Sequence, residues 1–164
     1  SMIAEQGIRA LASGLPRVCD GTADAGARSD AFSGAFMCAL ALATATMGIH
    51  HKLCHVLGGT FGLPHAETHT VVLPQATHYN RGAAPEAMTA IARALGSGSA
   101  AGGLMDLAVR IGAPTSLRAL GLSEADLDRA ADNATEAPYY NPRPVERDGV
   151  RALLDDAFHG RRPD

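Results

Sequence analysis

The sequence predicts an all-α fold, a helical bundle. Three observations carry this expectation. Almost every segment repeats its apolar residues at helical spacing. No stretch alternates apolar and polar residues for long enough to build a sheet. No strand leads through a Gly-rich turn into a helix, so the βαβ unit that binds dinucleotides has no counterpart here. At 164 residues the chain has the size of one domain, residues 1–164, with no internal boundary or repeat.

Ile3, Gly7, Ile8 and Leu11 mark a first amphipathic helix, expected to stop near Gly14 and Pro16. Residues 14–28, rich in Gly, Asp and Ala, read as a loop. Ser29 is the expected N-cap of a long apolar helix ending near Met47 and Gly48. Residues 31–50 carry no formal charge with His50 neutral. Ser33, Gly34, Thr44, Thr46 and Gly48 dilute that run too much for a membrane span, so it reads as a central helix wrapped by others. A shorter helix carries His51, Leu53, Cys54, His55 and Leu57, and Gly58-Gly59 ends it. Pro64 suits the first turn of the next helix, over 65–73, which Pro74 then kinks or ends. Pro85 opens a helix through Leu95, and residues 96–99 turn the chain. Leu104, Leu107, Ala108 and Ile111 share another helical face. Ser123-Glu124-Ala125-Asp126 resembles a capping box opening a helix to about Asn133. Residues 139–144 form an extended crossing. A last helix over 145–158 buries Val150, Leu153, Leu154 and Phe158.

Composition narrows the function classes. The chain is 46% hydrophobic but only 4% aromatic, with no Trp, so small side chains must pack closely to make the core. A net charge of −3, with a single short basic cluster at Arg161-Arg162, argues against a nucleic-acid partner. Three widely spaced cysteines, Cys19, Cys38 and Cys54, read as reduced thiols of a cytoplasmic protein.

The functional signal lies between Gly48 and Val72, where five of the seven histidines fall: His50, His51, His55, His65 and His69. Imidazole titrates near neutral pH and is the commonest metal ligand. His51 and His55 are one helical turn apart, as are His65 and His69. Spacing alone leaves three readings open: a shared polar pocket, a metal site with an open position, or helix-end histidines bonded to backbone carbonyls. Lys52 reads as a solvated cation, or, in a cleft, as a group for an anionic substrate. Glu67 suits the first turn of its helix. Cys54 reads as a small buried hydrophobe, and Arg143 as part of a rigid crossing.

The continuous segment from Gly48 to Pro74, with HHKLCH followed by PHAETHTVVLP, closely resembles the maleylacetate reductases of the iron-containing alcohol dehydrogenase superfamily. The likeness extends over essentially the whole chain, including Arg28-Ser29-Asp30-Ala31, residues 112–117 and Asn141-Pro142-Arg143-Pro144. It implies a C-terminal helical half, with an N-terminal dinucleotide-binding domain outside this chain. In the superfamily the H-x3-H-x9-H pattern binds iron or zinc through its first and third histidines, which match His51 and His65. The middle one, matching His55, lies near nicotinamide and substrate. The remaining two ligands lie upstream of this chain, and maleylacetate reductases are regarded as working without the metal. His51 and His65 are therefore read as active-site polar groups before they are read as ligands. Gln75 stands where the family commonly has His.

The reaction implied is reduction of maleylacetate to 3-oxoadipate by NADH or NADPH in aromatic-compound catabolism. The resemblance assigns catalysis to His55, as proton donor, and to His51. It assigns the dianionic substrate to His65, Lys52 and His50. It also implies a homodimer when the protein is full length, and no turnover by this chain alone. Two alternatives are a metal-dependent (Fe or Zn) alcohol dehydrogenase of the same superfamily and a non-catalytic helical module for metal binding or oligomerisation.

Overall fold

The computed structural model describes residues 1–22 and 24–164, and among them there is no strand. The first two helices differ most from the expectation. Helix α1 runs over Met2–Cys19 and α2 over Ala25–Leu42. Gly14 does not stop α1, because it serves a close approach. A Cβ on Gly14 would lie 2.8 Å from the Ala31 amide nitrogen of α2. One on Gly34 would lie 2.9 Å from the Gly7 carbonyl oxygen. Pro16 sits in the last turns, where its missing N–H forfeits one bond and its own carbonyl still accepts from Asp20. The expected loop over 14–28 therefore shrinks to the few residues between the two helices, of which Ala23 lies outside the described residues. Asp24, not Ser29, caps α2, accepting from the Ala27 N–H at 2.7 Å. Arg17 clamps the turn to Asp24 and Asp30.

Nor is α2 the central helix. It ends at Leu42 and packs chiefly against α1. Phe32, Phe36 and Leu40, one turn apart on one face, are 77%, 63% and 47% exposed. The apolar run suggested burial, but among the described residues no element covers that face. None of the described helices is long and apolar enough to cross a membrane.

The central position belongs to α4, His65–Asn80, which packs against α3 (Ile49–Phe61), α6 (Ala100–Arg110) and α8 (Arg147–His159). Thr68, Val72, Gln75 and Tyr79 line one buried face, and Pro74 and Thr77 extend burial around the helix beyond it. This packing carries α4 on through Pro74 to Asn80, so the proline does not end it. Ser99 caps α6, accepting from Gly102 N–H, after α5 (Pro85–Leu95) closes on Gly96 in the left-handed region. Ser123 opens a single 3-10 turn, Glu124–Asp126, that leads into α7, Leu127–Thr135. One apolar core joins α3, α4, α7 and α8 through fully buried Leu53, Leu57, Val72, Leu127 and Leu154. Helices α1, α5 and α6 lie beside it.

Candidate functional site

The histidines hang on the first two turns of α3 and α4, so what fixes those two ends fixes the site. Gly48 has no side chain to cap α3. The cap comes from far along the chain: Asn141 Oδ1 accepts from the Ile49 N–H at 3.2 Å. The Asn141 amide also donates to Asn80 Oδ1 and to the Arg143 carbonyl, each at 2.7 Å. The crossing over 139–144 thereby ties the start of α3 to the end of α4. Arg143 is consumed in this work. Its guanidinium stacks 4.1 Å from the Tyr79 ring centroid and donates to the Tyr79 carbonyl.

The chain reverses after α3 at Gly62, which adopts φ +68° and lets the Leu63 N–H return to the Leu57 carbonyl. Gly58 and Gly59, expected to end the helix, lie inside its last turn. Pro64 then precedes α4, and the buried Thr68 hydroxyl donates back to its carbonyl at 2.6 Å.

This reversal brings all five histidines together. Neighbouring rings meet edge to face, with centroids 4.8 Å apart for His50 and His69, 5.0 Å for His51 and His69, and 4.4 Å for His65 and His69. His51 lies 5.7 Å from His50 and 5.9 Å from His55. His51 and His69 each touch three of the other four, with the shorter separations at His69. In the sequence His69 shows its spacing from His65 but no role. The signal was present, because i, i+4 places it on the same face of α4 as His65.

Burial varies across the cluster. His55 and His65 are exposed, whereas His50, His51 and His69 are half-buried. Desolvation is the first cause holding His50, His51 and His69 below the ordinary imidazole range. The neighbouring imidazoles add repulsion, and His69 falls to about 4. These three are neutral near pH 7. The His50 Nε2–H donates to the His69 carbonyl at 3.1 Å, while Nε2 of His69 is buried without a partner.

The other candidates fall as follows. Lys52 is half-buried beside the cluster on α3, and no ion pair forms on it among the described residues. Cys54 points into the core, where burial pushes its thiol up to about 12. Gln75 is turned away from the histidines, donating to the Arg161 carbonyl at 2.6 Å and so anchoring the C-terminus.

The iron or zinc implied by the superfamily pattern would meet imidazoles on this face, a donor type that suits such ions. His51 and His65 carry only two of its four ligands. Among the described residues, the three metal-binding side chains whose ligand atoms converge are His50, His51 and His69, without His65.

Comparison with known proteins extends these observations. The model of the C-terminal part of the Fe-containing alcohol dehydrogenase family matches residues 1–158. A maleylacetate reductase of Burkholderia cepacia is 54% identical over 162 residues, covering 99% of this chain and 46% of its own length. The crystal structure of maleylacetate reductase from Agrobacterium tumefaciens superposes with a TM-score of 0.95 at 48% identity, over 99% of this chain and 46% of that one. An iron-containing alcohol dehydrogenase from Corynebacterium glutamicum gives a TM-score of 0.91 at 42% identity, over 98% and 45%. The chain spans less than half the length of these relatives. Its helical architecture, its histidine-bearing helix pair and its match from residue 1 to 158 place it in the Fe-containing alcohol dehydrogenase family, as the C-terminal domain.

Proposed function

We propose that residues 1–164 are the substrate-facing helical domain of an NAD(P)H-dependent maleylacetate reductase, a cytoplasmic enzyme whose other domain binds the dinucleotide. The observation that carries this is the gathering of five imidazoles on one open face, at the paired starts of α3 and α4. An open face of donors is one wall of a cleft. The 54% identity to a named maleylacetate reductase supports the substrate assignment. The uncovered apolar stripe on α2 supports a chain built to be covered by further protein.

The substrate is a dianion with a carbon–carbon double bond conjugated to a ketone. When bound, the nicotinamide supplies a hydride to that double bond. What this chain contributes is electrostatic and protic. His65 and Lys52 hold the carboxylates, His50 supports them by bonding to the His69 carbonyl, and His51 donates a hydrogen bond where charge develops on the ketone oxygen. Preorganised donors in a partly dry site need no reorganisation at the moment of reaction. His55, exposed on the outer turn of α3, delivers the proton that completes 3-oxoadipate.

The deciding experiment assays the whole protein with maleylacetate and NADH or NADPH, beside alcohol oxidation in the presence of Fe(II) or Zn(II). Loss of one reduced nicotinamide per 3-oxoadipate formed is expected, from a homodimer by light scattering. The 164-residue chain alone is expected to give none. Alcohol oxidation without maleylacetate reduction would establish the metal-dependent dehydrogenase reading, which the 42% identical iron-containing relative favours. Turnover by the isolated chain would remove the need for a second domain.

A further inference from the structure

We infer that the apolar groove between α1, α4 and α6 is the seat of a helix from the same polypeptide, supplied by the residues shortly before Ser1 and running antiparallel to α1.

The groove encloses about 350 Å³. Ile8, Leu11 and Leu15 of α1, Cys38 of α2, Leu73 of α4 and Leu107 of α6 line it. The three α1 residues are half-buried and Leu73 is 36% exposed, so the groove opens to the surface. Packed interiors hold few voids larger than a water molecule. A gap of this size, ringed by aliphatic side chains from several helices, is a core with a piece missing. It differs from the exposed stripe on α2, because Cys38 lies across that helix from Phe36 and Leu40.

The chemistry of the lining restricts the occupant. Among the described residues no charged side chain lines the groove. The hydroxyl of Thr70, which does line it, is already spent on the Ala66 carbonyl at 3.0 Å. The walls are helices, whose backbone groups bond within the helix. A strand seated here would bury its own N–H and C=O groups without partners. A helix satisfies them internally and presents aliphatic side chains at i, i+3, i+4 and i+7.

Position selects the source. This chain matches the C-terminal part of its family, and the Burkholderia cepacia relative is more than twice as long as the matched region. In such a protein the preceding polypeptide joins at the start of α1. Ile8 lies about 9 Å along α1 from Met2, at 1.5 Å per residue. Helix–helix connections take about 2–8 residues. A preceding helix can therefore fold back along Ile8, Leu11 and Leu15, and short connections make antiparallel neighbours. Thr70 directly follows His69, so the seated helix would reach the histidine-bearing turns and flank the proposed cleft. The inference rests on the reading of residues 1–164 as the C-terminal part of a longer enzyme.

The test is cysteine cross-linking in the whole protein, with Cys38 as the native anchor. Single cysteines are placed in turn through roughly 30 residues before Ser1, enough for one helix and its connection. Each variant is oxidised with copper phenanthroline. Disulfides need Cα atoms about 4.4–6.8 Å apart, so only positions facing Cys38 can link. Links within one chain, recurring every three or four positions, are expected. Links at every second position mark a strand and overturn the helix. Links only between two chains give the groove to a second copy, and links at no position leave it without this occupant; either result overturns the inference. With Cys38→Ser in place, Ile8→Cys and Leu15→Cys serve as second anchors. Ile8→Cys should link to positions nearer Ser1 than Leu15→Cys does, and the reverse order refutes the antiparallel seat. The period is read over the whole scan, so one variant that misfolds does not decide it. Maleylacetate reduction is measured before oxidation. Links in helical period without reduction refute the reductase reading alone, and reduction without links refutes the docked helix alone.

Discussion

His69 concentrates the physics of the site in one side chain. It is pulled down to about 4 from an ordinary 6.5, first by burial and then by repulsion from His50, His65, His51 and His55. A depressed folded value means that the unfolded chain binds the proton more readily. The stabilisation is fully present above 6.5 and is lost as pH falls through the window down to about 4. Chemical denaturation from pH 7 to 4 should therefore show a stability loss that His69→Asn reduces; an unchanged pH profile would show that His69 is not so perturbed. The same crowding bears on the substrate. A bound dianion favours protonated imidazoles, so in the whole enzyme KM for maleylacetate should fall as pH is lowered towards the histidine range. A KM flat from pH 8 to 6 would count against histidines as its carboxylate partners. His55→Ala should lower kcat at least tenfold, within the usual range for a lost general acid; unchanged kinetics would take the proton away from His55.

At the scale of elements, the site depends on two ends held by distant residues. Asn141 is the cap that Gly48 cannot supply, and it spans 92 positions to do so. Asn141→Ala should cost about 1–2 kcal/mol, as for loss of a helix cap. It should also loosen the His50 region of α3, seen as faster amide exchange at 49–52. Unaltered exchange there would mean that Gly48 and water suffice. The α1–α2 pair depends instead on small residues. Gly14 and Gly34 let the backbones approach to distances no Cβ tolerates. In sequence these glycines look like punctuation, and Pro16 likewise, which is why α1 is longer than its local signals allow. Glycine as breaker and glycine as packing surface have the same letter, and only the partner helix distinguishes them.

Across the whole molecule, cohesion is uneven. The core of α3, α4, α7 and α8 buries large side chains completely. The α1–α2 pair buries mainly glycine and alanine between its helices and leaves Phe32 and Phe36 outside. Hydrogen exchange on the 164-residue chain should find α2 opening well before α4 and α8. Uniform protection would show that α2 is held as firmly as the core. The same contrast explains the misplacement of the central helix. An uncharged apolar run signals burial, but burial can be against protein that is not part of this chain. Helix α4 reads locally as a short helix ended by proline, yet it runs on through Pro74 and is buried over most of its second half because three helices pack on it.

The sequence by itself determined the all-helical class, most element positions, and the concentration of imidazoles that marks the site. These follow from period, composition and spacing, which are local properties. Its long continuous likeness to maleylacetate reductases also directed the functional reading to an anionic keto acid. Tertiary structure alone decided which histidines meet. His51 and His69 meet at the centre of the cluster, and His50 packs against both, because the turn at Gly62 and the Asn141 tether bring α4 back onto the start of α3. It also decided that Arg143 and Gln75 are structural, since their partners are backbone carbonyls on distant segments. The physical reason is the same throughout. Local sequence sets which face a side chain occupies on its own helix, and long-range packing and capping set what that face meets.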